Sequence, residues 1–110
     1  MNNSLQGCAV KIRANDFLFR DIFAHVQIAD EVERKMLLKL DMTLSVAGVL
    51  YKYAIASPRL AKNTLGDLLN TGVIGSAVTW VPDAKFDANK PLDVSWWRGG
   101  AAAVTDVFLD

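Results

Sequence analysis

Apolar residues recur along this chain at two competing spacings, and the competition is sharpest between Glu31 and Ala56. Leu38, Leu40, Met42, Leu44 and Val46 alternate with Lys39, Asp41, Thr43 and Ser45, the period-two signature of a strand with one buried face. Over the same stretch Val32, Met36, Leu37, Leu40, Leu44, Ala47, Tyr51 and Ala54 form a stripe at the 3.6-residue period of a helix. Residues 31–46 carry no turn signal, and Met, Leu, Lys, Glu and Ala outweigh β-branched residues. Composition therefore favours one long helix over about 31–56. Its second half is apolar nearly all round, which predicts a central, buried position, with Gly48 beside Ala47 marking a close helix crossing.

The flanking segments follow the same logic. CAVKIRA (8–14) alternates as a short strand or an extended arm. Leu18, Ile22, Phe23 and Val26 recur at helical spacing behind the capping candidates Asn15 and Asp16, which predicts a helix over about 16–28. Asp30 followed three places later by Glu33 is a capping-box pattern, read as the start of the long helix. Ser57-Pro58 opens a further helix that Gly72 ends. VIGSAVTWV (73–81) is a strand or a further helical turn, PDAKFDANKP (82–91) is a surface loop, and AAAVTDVFL (101–109) is a terminal helix. The expected class is thus mostly α: a compact bundle of about four helices around the long central helix at about 31–56, with a short N-terminal strand. If 38–46 is a strand, the class becomes α+β. Residues 1–110 form a single globular domain, with 1–7 flexible.

Composition adds a surplus of apolar residues. At 52% hydrophobic and 22% charged, the 110-residue chain exceeds the ordinary apolar share, and a subunit or partner interface is the economical place for the excess. Self-association, as a homodimer or higher oligomer, is the resulting expectation. Twelve basic and twelve acidic residues cancel, which argues against a nucleic-acid partner. Asp41 and Lys52 bracket the longest apolar run well short of a membrane span. Cys8 is the sole cysteine, so neither an intrachain disulfide nor a multi-cysteine zinc site can form. With no signal-like apolar run at the N-terminus, a cytoplasmic location is expected.

Candidate chemistry is sparse. Cys8 and His25 are the only thiol and imidazole, and they are read as a small buried or half-buried thiol and a surface histidine on a helix rather than a dyad. Asp30, Glu31 and Glu33 are accounted for by capping, while Asp83, Asp87 and Asp93 lack the spacing of a calcium loop. No phosphate-binding motif occurs, so no catalytic residue, metal or cofactor is assigned.

SWWRGG (95–100) is the most distinctive stretch. Adjacent residues diverge in any regular backbone, so Trp96 and Trp97 cannot share one core. With Arg98 they combine the residue types most enriched at binding hot spots. Trp96, Trp97 and Arg98 are therefore the expected interface, with Phe17, Phe19 and Tyr53 as secondary candidates. The function expected from the sequence is a non-catalytic protein-binding module, a small cytoplasmic regulator or adaptor that self-associates and occludes a partner protein. Two alternatives are a small-molecule binder or enzyme whose apolar pocket opens beside Trp96 and Trp97, with Asp93 and Arg98 as its polar groups, and a structural subunit of a larger assembly.

Overall fold

A computed structural model describes residues 5–14, 20–97 and 103–110. The chain is not a helical bundle. It runs up and down through six antiparallel strands that close into a barrel in chain order: β1 (Ala9–Ala14), β2 (Arg20–Asp30), β3 (Lys35–Val46), β4 (Val49–Pro58), β5 (Val73–Pro82) and β6 (Ala103–Leu109). One short helix, α1 (Asp67–Thr71), lies between β4 and β5.

The long helix expected over 31–56 is in fact the β3–β4 hairpin. Between Val46 and Val49, Ala47 and Gly48 take φ of 52° and 82°, the left-handed pair that a two-residue type I′ turn requires. Gly48 serves that turn, not a helix crossing. Ala-Gly lacks the Asn-Gly or Asp-Gly spelling of such turns, which is why residues 31–56 read as uninterrupted. The helix expected over 16–28 is likewise a strand from Arg20 onward, with Ile22, Ala24 and Val26 buried and Phe23, His25 and Gln27 exposed. The C-terminal helix is replaced by β6. Of the two readings of 73–81 the strand is realised, with Ile74, Ser76, Val78 and Trp80 inward.

Asp30 shows how identical local chemistry can serve two folds. Its Oδ1 accepts the N–H groups of Val32 and Glu33 at 3.0 and 3.1 Å, as a helix cap would. The chain nevertheless reverses, because Arg34 enters the left-handed region at φ 56° and Lys35 pairs back with Asp30. Glu31 serves a distant loop instead. Its two carboxylate oxygens accept from Leu65 N and Gly66 N at 3.1 and 2.8 Å, just ahead of α1. From the same turn Arg34 Nη2 donates to the carbonyls of Leu60 and Asn63. The β2–β3 turn thereby clamps the 59–66 loop so that Leu65 and Leu68 are driven fully into the end of the barrel. The helix expected from Pro58 onward shrinks to α1, and Pro58 closes β4 instead; Gly72 ends α1 at φ 82°.

A barrel this small has room for few large side chains, and partners across the sheet alternate in size. Ala56 faces Met36, and Ala54 sits between Leu38 and Trp80. Ser76 and Thr105 are paired, inward and buried. Closure rests on a short β1–β6 ladder, Val10–Leu109, Lys11–Phe108 and Ile12–Val107. Beyond its last rung Thr105 Oγ1 donates to the Arg13 carbonyl, so a side chain continues what backbone pairing leaves off.

Apolar residues also fill a second site, on the outside wall. Leu37 and Ile55 are neighbours across β3 and β4, and with Val81 of β5 they form a buried cluster on the outer face. The segment 83–97 straps over it, contributing Phe86, Leu92, Val94 and Trp96. The excess from which self-association was argued thus has two destinations within one chain, and the protein is all-β rather than helical. Among the described residues no helix is long and apolar enough to cross a membrane.

Two stability changes follow. Ala47→Asn relieves a strained left-handed alanine and is expected to stabilise the protein by about 0.5–1 kcal/mol, raising the denaturation midpoint in urea. Glu31→Ala leaves two loop amides without their acceptor and is expected to cost about 1–2 kcal/mol in the same assay.

Candidate functional site

The two tryptophans lie at the end of the strap and do different things. Trp96 packs on the outer-wall cluster, and its Nε1–H donates to the Asp93 carbonyl at 2.9 Å. Trp97 is 41% exposed and meets Trp96 edge to face, with centroids 6.1 Å apart. The divergence required of adjacent residues is there, with one ring folded inward and one turned out. Tyr53 belongs to the same cluster, stacked on Phe86 at 4.0 Å and 13°. Trp96 and Tyr53 are therefore brought together, but as fasteners of the strap. Phe17, Phe19 and Arg98 lie outside the described residues. Asp93 is occupied locally: its carboxylate accepts from Ser95 N and from the Ser95 hydroxyl at 2.8 and 3.0 Å. The Ser95 backbone N–H, then its hydroxyl, hold the Asp93 carboxyl below its ordinary value. A depressed carboxyl favours the strap above its unfolded pKa, and that contribution is lost only as pH falls through the lower folded value.

The opening suited to a ligand lies elsewhere, between β2 and β3. Their ladder ends at Ala24–Leu40, although β2 extends back to Arg20 and β3 runs on to Val46. Immediately beyond, β3 also leaves β4. Lys39 pairs with Tyr53 and Leu44 with Tyr51, so Leu40, Asp41, Met42 and Thr43 together oppose Lys52 alone. A bulge of this size bends its strand out of the sheet. Asp41, Met42 and Thr43 consequently have no ladder partner on either side, and β2 between Arg20 and Phe23 pairs only with β1.

The resulting groove has a volume of about 380 Å³ and is walled by Arg20–Phe23 and Asp41–Leu44. Its floor is apolar: Ile22 and Leu44 are buried. Its rim carries Phe23 at 48% and Met42 at 75% exposure, unusual values for large apolar side chains on a barrel wall. Both carboxylates on the walls have side-chain partners. Asp21 lies 3.7 Å from both Lys11 Nζ and Arg13 Nε, and these cations stand over the Phe108 ring. At the inner end, His25 Nδ1 is 2.8 Å from Asp41 Oδ1, bridging β2 to β3 just where backbone pairing stops.

None of the groove residues stood out in the sequence as binding candidates. No sequence signal marks them: Met42 occupies an inward position in the strict alternation and becomes the most exposed apolar residue on β3 only through the tertiary structure. His25 and Cys8 do not form a pair: Cys8 packs against the interior core, while His25 is exposed on the outer wall and engaged by Asp41. Among the described residues no group of three or more His, Cys, Asp and Glu is placed to hold a metal ion.

By fold, the protein is a six-stranded antiparallel barrel with a strapped outer wall and a groove where the β2–β3 seam opens. No family model matches the chain, and no match is found among curated proteins or solved structures.

The different roles of the tryptophans can be measured. Trp96→Ala is expected to cost about 3 kcal/mol in urea unfolding, since it removes a packed ring from the strap cluster. Trp97→Ala should cost about 1 kcal/mol, the value of one edge-to-face contact.

Proposed function

We propose that the barrel is a protein-binding module that receives an extended segment of a partner protein in the β2–β3 seam. The observation that carries this reading is the termination of the ladder at Ala24–Leu40 with both strands continuing past it. A strand that ends its pairing while remaining extended offers backbone N–H and C=O groups to a peptide, and strand addition at such edges is a recurrent mode of recognition. The side chains fit the same occupant. A segment with alternating apolar residues can set one row on Ile22 and Leu44 and leave its other row at the rim with Phe23 and Met42. The groove volume falls in the range of ligand sites, whereas the barrel interior is filled by Met36, Leu38, Trp80 and their small partners. A lone, partly buried cysteine is compatible with work in a reducing cytoplasm.

The test is an NMR titration of isotope-labelled protein with short acetylated, amidated peptides of alternating valine and threonine. Saturable shifts confined to the amides of residues 20–24 and 40–44 are expected. Shifts centred on Trp97 and the strap, or no shifts at millimolar peptide, would overturn the reading.

A further inference from the structure

We infer that Asp41 selects a basic side chain on the incoming segment and that His25 cancels this selectivity on acidification. The inference rests on the strand-receiving role of the seam and names the chemistry of its occupant.

The argument is one of charge placement. Asp41 lines the groove, and the imidazole of His25 is its only ion-pair partner among the described residues. The other carboxylate on the wall, Asp21, is already offset by Lys11 and Arg13. From the remaining elements around Asp41, Lys39 precedes it on β3 and pairs in register with His25, while Lys52 on β4 is turned to Asp83 at 3.7 Å. Asp41 and Phe23 are the first residues of β3 and β2 beyond the last rung, Ala24–Leu40, and Arg20 stands at the far end of the β2 wall. Arg20 is three residues from Phe23 along β2, roughly 10 Å at the rise of a strand. A positive group next to Asp41 sits far from that cation, at the closed end beside Phe23, whose exposed ring also attracts cations.

His25 makes the site conditional. While the imidazole is neutral, its Nδ1–H can orient the Asp41 carboxylate and leave the negative charge available. Histidine is the side chain that ordinarily takes up a proton between about pH 8 and 5. Once protonated, His25 forms a charge-assisted pair with Asp41, and an incoming lysine or arginine meets a neutralised site next to Lys39. A basic segment is then held at neutral pH and released on acidification, whereas a neutral segment is indifferent.

The experiment compares two peptides, acetyl-Thr-Val-Lys-Val-Thr-amide and the same sequence with norleucine for lysine, by NMR titration at about pH 7.5 and 5.5. At the higher pH the lysine peptide is expected to bind about three- to fivefold more tightly, the yield of a half-exposed ion pair. That advantage should vanish at the lower pH. In His25→Gln, which keeps a donor for Asp41 without a titrating charge, the advantage should persist at both values. In Asp41→Asn it should be absent at both. A lysine preference that ignores pH in the native protein, or survives Asp41→Asn, overturns the inference.

Parallel titrations with n-hexylammonium and hexanol, which have no backbone to pair, separate this failure from that of the seam itself. An ammonium preference at residues 41–44 that is lost on acidification, without peptide binding, supports the charge site and overturns the strand-receiving role. Peptide binding at the seam with no preference for lysine or ammonium overturns the charge site alone. If neither peptides nor ammonium shift these amides, both fall.

Discussion

Closing a six-stranded sheet on itself obliges the first and last strands to pair, and the rest of this structure depends on that pairing. β1 and β6 come from opposite ends of the chain, so their contact carries the largest loop-closure cost in the fold. It is also short: three rungs, extended by the Thr105 hydroxyl reaching the Arg13 carbonyl. On the outer side Phe108 lies under Lys11 and Arg13, which in turn hold Asp21 on β2. A weak joint is thereby braced from both faces of the sheet. Once it is made, the interior radius is set, and the small residues Ala54 and Ala56 become necessary, Ala54 between Leu38 and Trp80 and Ala56 opposite Met36.

The two barrel ends are handled differently. At one end the charged β2–β3 turn captures the 59–66 loop through Glu31 and Arg34, and Leu65 and Leu68 plug the opening. Toward the other end no such clamp holds β2 against β3 among the described residues. The β3 bulge releases strand pairing on both of its sides, and the His25–Asp41 bridge marks where the release begins. A closed barrel removes sheet edges, and among the described residues this one restores short edges between β2 and β3 and, beyond Ile12–Val107, between β1 and β6. At the second of these the Thr105 hydroxyl fills in for the backbone, whereas the first opens a groove, a local departure from the best backbone accounting of the kind that concentrates where proteins bind. The strap is the opposite case, an apolar outer wall covered by the chain's own Phe86, Leu92, Val94 and Trp96.

Much of the secondary structure was present in the sequence as one of two readings. The alternation of Leu38 and Leu40 with Lys39 and Asp41 is the true one, and the helical stripe through Leu37, Leu40 and Leu44 is coincidental. Leu37 shows why both could coexist. It is buried on the outer wall beneath the strap, so β3 carries apolar residues on two faces and resembles a helix on composition. Leu, Met and Ala lean toward helix by intrinsic preference, but that preference amounts to tenths of a kcal/mol per residue and yields to a closed ladder with a filled interior. The groove was less legible, because Asp41 and Met42 acquire their exposure from a register shift between β3 and β4 that no local pattern encodes.

What the sequence by itself determined is local: the Asp30 side chain accepting the backbone N–H groups that follow it, the Gly72 helix stop, the polar strap-bearing loop and the divergence of Trp96 from Trp97. Each depends on side-chain oxygens, backbone freedom or the direction of neighbouring residues, all properties of a few consecutive positions. Tertiary structure alone decided that Asp30 reverses the chain, that Glu31 holds the loop amides of Leu65 and Gly66 more than thirty residues away, and that β2 and β3 part beyond Ala24 and Leu40. Those outcomes turn on which distant segment supplies the partner for a hydrogen bond or an apolar face, and that partner exists only once the barrel has closed.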